Sequence, residues 1–427
     1  MVSAVLFGSF ALFLILSVPI GISLGLATLV TIFYSGSLPI EFLMKELVTS
    51  VDSFPLMAVP FFILAGEIMG KGGISERLFN VANALVGNKT GGFAIATVIT
   101  SMFFAAISGS GPATVAAIGG IMIPAMVRNG YDKKFSTAVV AAAGSIGVII
   151  PPSIPMVIYG VVGNVSIGDL FIAGIIPGLL VGLGLIVWTY YYSKKKGFKG
   201  LDEPTSLKKI WTATWDAKWA LLIPVIILGG IYGGIFTPTE AAVIAVVYGL
   251  IASLFIYREL PFKELPKVLA DSALTTATVL IIVGTATAFG RFLTIEQIPN
   301  KVAQAMLSIS DNSIVMILLI TVLLLIVGCF MDTLAAIIIL TPILLPIAVQ
   351  LGYDPIHFGI IMVVNLAIGF ITPPLGVNLF VASGISGLSI EALSKAVLPF
   401  FVAMIITLLI IIFIPQLSLF LLSFGGN

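Results

Sequence analysis

Gly144-Ser145-Ile146-Gly147-Val148-Ile149-Ile150-Pro151-Pro152-Ser153 is answered 222 residues later by Leu366-Ala367-Ile368-Gly369-Phe370-Ile371-Thr372-Pro373-Pro374-Leu375. Two consecutive prolines remove two backbone donors and end a helix, so each stretch is an apolar helix broken at the same place. The register extends outward from the prolines. Pro124 pairs with Pro346, Gly130-Tyr131-Asp132 with Gly352-Tyr353-Asp354, Asp169 with Glu391, and Pro177 with Pro399. One offset relates them all, so the chain is an internal duplication whose halves interrupt their apolar segments alike. That pattern marks secondary transporters whose binding site lies at the repeat interface.

Composition sets the class. The 427 residues are 59% hydrophobic and 9% charged, with mean hydropathy +1.21, which is the balance of a polytopic membrane protein. Apolar runs at 3–34, 54–70, 92–127, 136–163, 170–193, 219–257, 272–290, 312–350, 357–384 and 396–423 are each near or above the roughly 20 residues a spanning helix needs. The first has no preceding Lys or Arg and no small-residue cleavage site, and reads as a retained helix. A net charge of +1 gives no attraction to nucleic acid. One cysteine, Cys329, excludes an internal disulfide, and one histidine, His357, leaves no cluster for a transition metal. No cofactor is called for. The nearest approach to a nucleotide-binding loop, Gly66 to Gly72, has the wrong spacing and no Ser or Thr after Lys71.

Three units follow: a first repeat over 1–193, a basic and aromatic linker over 194–218, and a second repeat over 219–427. The linker region carries Lys194, Lys195, Lys196, Lys199, Lys208, Lys209 and Lys218, and this lysine excess places it in the cytoplasm. Trp211, Trp215 and Trp219 at i, i+4 and i+8 give one aromatic helical face, suited to the membrane interface. Both termini lack charge and are expected on the opposite, periplasmic side. With an odd number of crossings per half, the second repeat is inverted relative to the first. The run 92–127 would be about 54 Å long as one helix, against a hydrocarbon core of about 30 Å. Ser108-Gly109-Ser110-Gly111-Pro112 breaks it into a re-entrant hairpin, or a helix pair meeting at a tight tip. Gly328 to Thr333 is the counterpart in 312–350, with Asp332 at the position of Ser110. The fold expected is an all-α polytopic membrane protein of two inverted-topology repeats, with re-entrant hairpins and broken helices.

Non-helical backbone at membrane depth costs several kcal/mol per unsatisfied group unless it binds something or lines a wet cavity. Carbonyls beside Ser and Thr hydroxyls, without fixed negative charge, suit Na⁺, and half-helix N-termini suit an anion. The expected cation sites are Ser108, Ser110, Gly147, Ile150 and Pro151 in the first half, and Gly328, Met331, Gly369, Thr372 and Pro373 in the second. Asp332 lies twenty residues into an uncharged run, where a carboxylate is expensive and usually faces a cavity. It balances a cation, bonds a substrate, or caps the following helix. Thr237-Pro238-Thr239-Glu240 has the form of a capping box, Glu67 stands four residues before Lys71, and Arg291 snorkels or reaches a substrate acid group.

Pro60 to Met69 (PFFILAGEIM), Ser108 to Tyr131 (SGSGPATVAAIGGIMIPAMVRNGY), Gly144 to Ser153, Gly234 to Ala242 (GIFTPTEAA) and Asn365 to Phe380 (NLAIGFITPPLGVNLF) together resemble the large membrane subunit of tripartite ATP-independent periplasmic (TRAP) transporters. The resemblance runs over nearly the whole chain. It implies sodium-driven import of an organic acid, a C4-dicarboxylate or sialic acid, across the bacterial inner membrane by an elevator motion. It implies a soluble periplasmic binding protein and a small four-helix membrane subunit as partners, here a separate chain. It carries over Ser110, Thr114, Ser153 and Asp332, then Asn378 and Arg291, as substrate contacts, and Asp332 favours a polyhydroxylated acid such as sialic acid. A stand-alone carboxylate symporter of the same architecture is the alternative. An intramembrane enzyme would need a catalytic constellation, which the sequence does not offer.

Overall fold

The computed structural model describes residues 1–198, 200, 205–307 and 312–424. Its elements are helical throughout: α1 (Val2–Ile15), α2 (Ile20–Ser35), α3 (Glu41–Thr49), α4 (Ala58–Lys71), α5 (Ile74–Val86), α6 (Gly92–Ser108), α7 (Gly111–Arg128), α8 (Lys133–Gly144), α9 (Ile154–Gly163) and α10 (Ile167–Lys196) in the first half. The second half holds α11 (Leu207–Asp216), α12 (Lys218–Tyr232), α13 (Pro238–Leu250), α14 (Leu265–Ile295), α15 (Ile298–Leu307), α16 (Ser313–Phe330), α17 (Thr333–Gln350), α18 (Pro355–Gly369), α19 (Val377–Ser386) and α20 (Ile390–Phe413). Among the described residues, eight helices are long and apolar enough to cross a membrane.

The duplication governs this order. Shifted by 222 residues, the bounds of α7 coincide with those of α17, and α6, α8, α9 and α10 fall on α16, α18, α19 and α20. Equivalent residues do equivalent work. Asp132 and Asp354 cap α8 and α18 through their side chains, Gly130 and Gly352 take φ of 82° and 88°, and both Pro-Pro bonds are cis. In the outer helices α2 packs on α14 while α13 packs on α4, the exchange expected of two equivalent repeats. Their difference has a local cause. Ser50 to Pro55 interrupts the first repeat between α3 and α4, whereas the equivalent Ser272 to Ala277 has no proline and α14 runs unbroken.

The repeats are inverted. α8 starts beside the lysine-rich end of α10, with Phe135 stacked 4.4 Å from Tyr192. Its equivalent α18 starts at the opposite end, where the Pro355 carbonyl accepts 2.7 Å from the Tyr159 hydroxyl near the end of α9. These two helices form the centre: every residue from Phe135 to Gly144 and from His357 to Gly369 is buried. Following the helices, the described Lys and Arg residues gather at the end holding Lys194 to Lys196, while Lys45, Arg291 and Lys301 lie at the other.

The run 3–34, expected as one helix, is two. Pro19 cannot continue a hydrogen-bonded helix and disfavours helical backbone at Val18, so the chain turns at Leu16 to Pro19. Lys194 to Lys196 belong to α10, and Lys199, Asp202, Glu203 and Asn427 lie outside the described residues. α11 has no buried residue and meets α12 at a 65° bend. The stacked Trp211 and Trp215 therefore share its apolar face, but Trp219 belongs to α12, beyond the bend. Lys218 sits 3.8 Å over the Trp215 ring at that corner.

The capping box forms: the Thr237 amide donates 2.8 Å to Glu240, and the Glu240 amide donates 3.3 Å to the Thr237 hydroxyl. Thr237→Ala is expected to lower the midpoint of thermal unfolding, since such caps contribute about 1 kcal/mol. Glu67 pairs with Lys71 at 3.5 Å, and Lys71 also reaches Asp271 at 3.2 Å. Cys329 is a half-buried free thiol bonded to the Leu325 carbonyl, and His357 stacks on Tyr353 at the start of α18.

Candidate substrate and cation site

Each hairpin tip is a few residues long and is held by its own chemistry. Gly109 ends α6 at φ 60°, and a side chain there would also come within 2.9 Å of the Pro152 carbonyl. Ser110 then turns extended and caps α7, its hydroxyl accepting from the Ala113 amide at 3.5 Å. In the second tip Met331 is extended and Asp332 caps α17, its carboxylate accepting from the Leu334 amide at 2.8 Å. Ser110 and Asp332 thus hold the same structural position, and only one is ionisable.

Each tip locks onto a broken helix. The Ile154 amide donates 3.3 Å to the Gly109 carbonyl, and the Leu375 amide 2.9 Å to the Cys329 carbonyl. Between them lies a narrow cleft of about 120 Å³. Its walls include Ser110 and Pro112 at the start of α7, Ile154 and Pro155 at the start of α9, and Asp332, Thr333 and Leu334 at the start of α17. Three helix N-termini therefore face one cavity, and their aligned dipoles make it favourable for an anion. Thr275 and Val279 of α14 and Ile63 of α4 close it from the outer helices.

Behind the first tip, hydroxyls and carbonyls converge. The Ser108 and Thr114 hydroxyls lie 3.0 Å apart, and Thr114 donates 2.8 Å to the Ser110 carbonyl. Gly147 sits against this group: a Cβ there would lie 2.5 Å from the Ser110 carbonyl oxygen and 2.6 Å from the Thr114 hydroxyl. At the second tip a Cβ on Gly369 would collide with the Gly328 backbone. Each hairpin thus meets a glycine of its own broken helix by direct backbone approach. The first cluster gathers oxygens without a fixed charge, a donor set that suits an alkali cation.

A family profile described as "Tripartite ATP-independent periplasmic transporter, DctM component" matches residues 7–417. The chain belongs to this family. The isethionate TRAP transporter permease protein DctMQ of Oleidesulfovibrio alaskensis is 58% identical over 97% of this chain and 66% of its own length. The C4-dicarboxylate TRAP transporter large permease protein DctM of Pseudomonas aeruginosa is 45% identical, over 95% and 94%. The sialic acid TRAP transporter large permease protein SiaM of Vibrio cholerae is 40% identical, over 94% of each. The fold is that of the Alcanivorax borkumensis YdaH transporter, whose crystal structure aligns with a TM-score of 0.61 at 17% identity, over 90% of this chain and 89% of that one.

The structure separates the site residues expected from the sequence. Ser110 and Asp332 line the cleft. Thr114 is buried behind the tip. Ser153 is buried too, its hydroxyl donating 2.6 Å to the Val148 carbonyl and capping α9. Asn378 is buried on α19 and crosses to the other repeat, donating 3.1 Å to the Ala141 carbonyl and 3.3 Å to Ser145, while its own carbonyl oxygen has no partner. Ile150 packs against Gly178 of α10 through its side chain, with its Cα and amide close behind. Pro151 is buried within the first break, whereas Pro373 is exposed and Thr372 half-buried, bonded to the Ile368 carbonyl at 2.8 Å.

Arg291 is not brought to this cleft. It stands sixteen residues beyond Thr275 on α14, about 24 Å along the axis, and its guanidinium bonds Glu46 of α3 at 2.8 Å. Thr275 is the lining residue that sequence reasoning passed over. Its hydroxyl lies in the run Thr275-Thr276-Ala277-Thr278 within an apolar helix, but Thr275 and Thr278 bond carbonyls four residues back, as threonines in membrane helices commonly do.

Proposed function

We propose that this chain is the translocating subunit of a sodium-coupled importer of a small organic anion in the bacterial inner membrane. A soluble periplasmic protein delivers the anion, and a small four-helix membrane subunit braces the outer helices. The observation that carries the reading is the cleft where α7, α9 and α17 begin together, with one uncharged cap, Ser110, and one carboxylate cap, Asp332. Helix N-termini favour the acid group, while Asp332 accepts from a donor such as a hydroxyl elsewhere on the same molecule. A hydroxylated anion fits that polarity better than a dianion, which would face Asp332 with like charge. The cleft's roughly 120 Å³ is well below the ~300–1,000 Å³ of sites for drug-sized ligands. That size and the 58% identity to an isethionate permease both favour a short hydroxysulfonate over sialic acid.

Sodium occupies the oxygen cluster at Ser108, Ser110, Thr114 and Gly147, and a second position at the close approach of Gly328 to Gly369, with Met331 and Thr372 as the further donors of the second half. The hairpins, α8–α10 and α18–α20 move as the carrying body against α1–α5 and α12–α15, with the lysine-rich end in the cytoplasm. Uptake by vesicles containing this chain, the small subunit and cognate binding proteins tests the substrate. Isethionate is expected to accumulate, and C4-dicarboxylates and sialic acid weakly or not at all. Sialic acid accumulating in preference would overturn the size argument.

A further inference from the structure

A second cavity of about 370 Å³ stands directly outside the tip cleft, lined by α9, α14 and α17, which also border the cleft, and by Thr49, Ser50 and Leu56. On α9 the walls pass from Pro155 to Ile158, on α14 from Val279 to Val283, and on α17 from Leu334 to Ile338. Each step is about one helical turn, so one cavity continues the other toward the lysine-poor end. Its polar groups are Thr49, Ser50, Thr287, Arg291 and Thr294.

Arg291 is held there in an uneven ion pair. The Glu46 side chain is 5% exposed and the Arg291 side chain 62% exposed, and a single bond joins Nη1 to Oε1 at 2.8 Å. A guanidinium carries five N–H donors, so one anchors it and the others remain directed outward. The Ser50 hydroxyl is buried without a partner on the same wall. A cation steadied from behind, with further donors and an unsatisfied hydroxyl lining the same cavity, is arranged to take an acid group.

We infer that this vestibule is a first docking site for the transported anion, in which a carboxylate or sulfonate pairs with Arg291 before passing to the tips. The inference rests on reading the chain as an importer of organic anions. The buried Glu46 partly offsets the guanidinium charge, so the site holds the anion weakly enough to release it onward. Arg291 then sets capture and not the central binding step.

Thiol labelling of Thr287→Cys in purified protein tests this without uptake. Modification at residue 287 is read by peptide mass, comparing methanethiosulfonates that carry a sulfonate or a trimethylammonium group. The sulfonate reagent is expected to react about tenfold faster, as in a cleft of one charge sign. The preference should persist in Arg291→Lys, vanish in Arg291→Gln, and isethionate should slow labelling only when the cation is present. Equal rates with and without Arg291, absence of protection, or no labelling would overturn the vestibule. Labelling that behaves as expected in a protein that imports nothing would instead refute the importer reading.

Discussion

Replacing Asp332 by Ser, the residue at the equivalent position of the first tip, is expected to leave a folded protein whose transport is reduced by about one to two orders of magnitude. The substitution separates two roles that coincide in one side chain. As the cap of α17, the carboxylate accepts from the Leu334 amide at 2.8 Å, and Ser and Asn fulfil that role about as well as Asp. As a wall of the cleft, it places an ionisable carboxyl group where Ser110 places a hydroxyl. If capping were its only work, Asp332→Ser and Asp332→Asn would import normally and Asp332→Ala alone would be impaired. If it receives a substrate hydroxyl, all three lose about 10- to 150-fold, corresponding to the roughly 1.5–3 kcal/mol of a hydrogen bond to a charged group. Initial uptake rates at equal membrane expression decide between them. Normal transport by Asp332→Asn would remove the carboxylate from the site.

Gly147→Ala and Gly369→Ala are expected to have the second large effect, through sodium. An alanine Cβ at 147 must displace the Ser110 carbonyl oxygen, 2.5 Å away, or the tip that carries it. At 369 it must displace the Gly328 carbonyl carbon and Cα, 2.6 and 2.8 Å away. Backbone cannot swing aside as a side-chain end can. Overpacking of this kind costs about 1–3 kcal/mol, which corresponds to about 5- to 150-fold in an affinity coupled to the displaced groups. Both variants should therefore need far more sodium for half-maximal uptake. Gly120→Ala is the control, because nothing lies within 4 Å of the added Cβ. Unchanged sodium dependence in both glycine variants would show that these close approaches serve only packing.

The framework of the fold was legible because proline, glycine and apolar run length report local backbone directly. Pro151-Pro152, Pro373-Pro374 and the Ser108 to Pro112 segment fixed breaks that the structure reproduces at the expected residues. Local rules also foretold the Thr237–Glu240 box and the Glu67–Lys71 pair. Even so, the break at Pro19 is masked in the sequence by the apolar residues on both sides of it. Partners far apart in sequence were not legible. Arg291 and Glu46 are separated by 245 residues, and Asn378 and Ala141 by 237, and no periodicity specifies which helix faces which. For the same reason the meeting of three helix N-termini in one cleft emerged only from the assembled structure. Ser110 and its repeat equivalent Asp332 both line that cleft, whereas Ser153, equivalent to Leu375, turns into its own break.

If two symmetric breaks hold coupling cations around one asymmetric anion site, uptake must depend on sodium cooperatively. The most direct measurement is the initial rate of anion uptake, as a function of external sodium, in vesicles reconstituted with this chain, its small subunit and a loaded binding protein. A cooperative dependence on sodium, with a Hill coefficient above one that falls toward one in Gly147→Ala or Gly369→Ala, is the expected result. Uptake that proceeds at the same rate with no sodium gradient would contradict it.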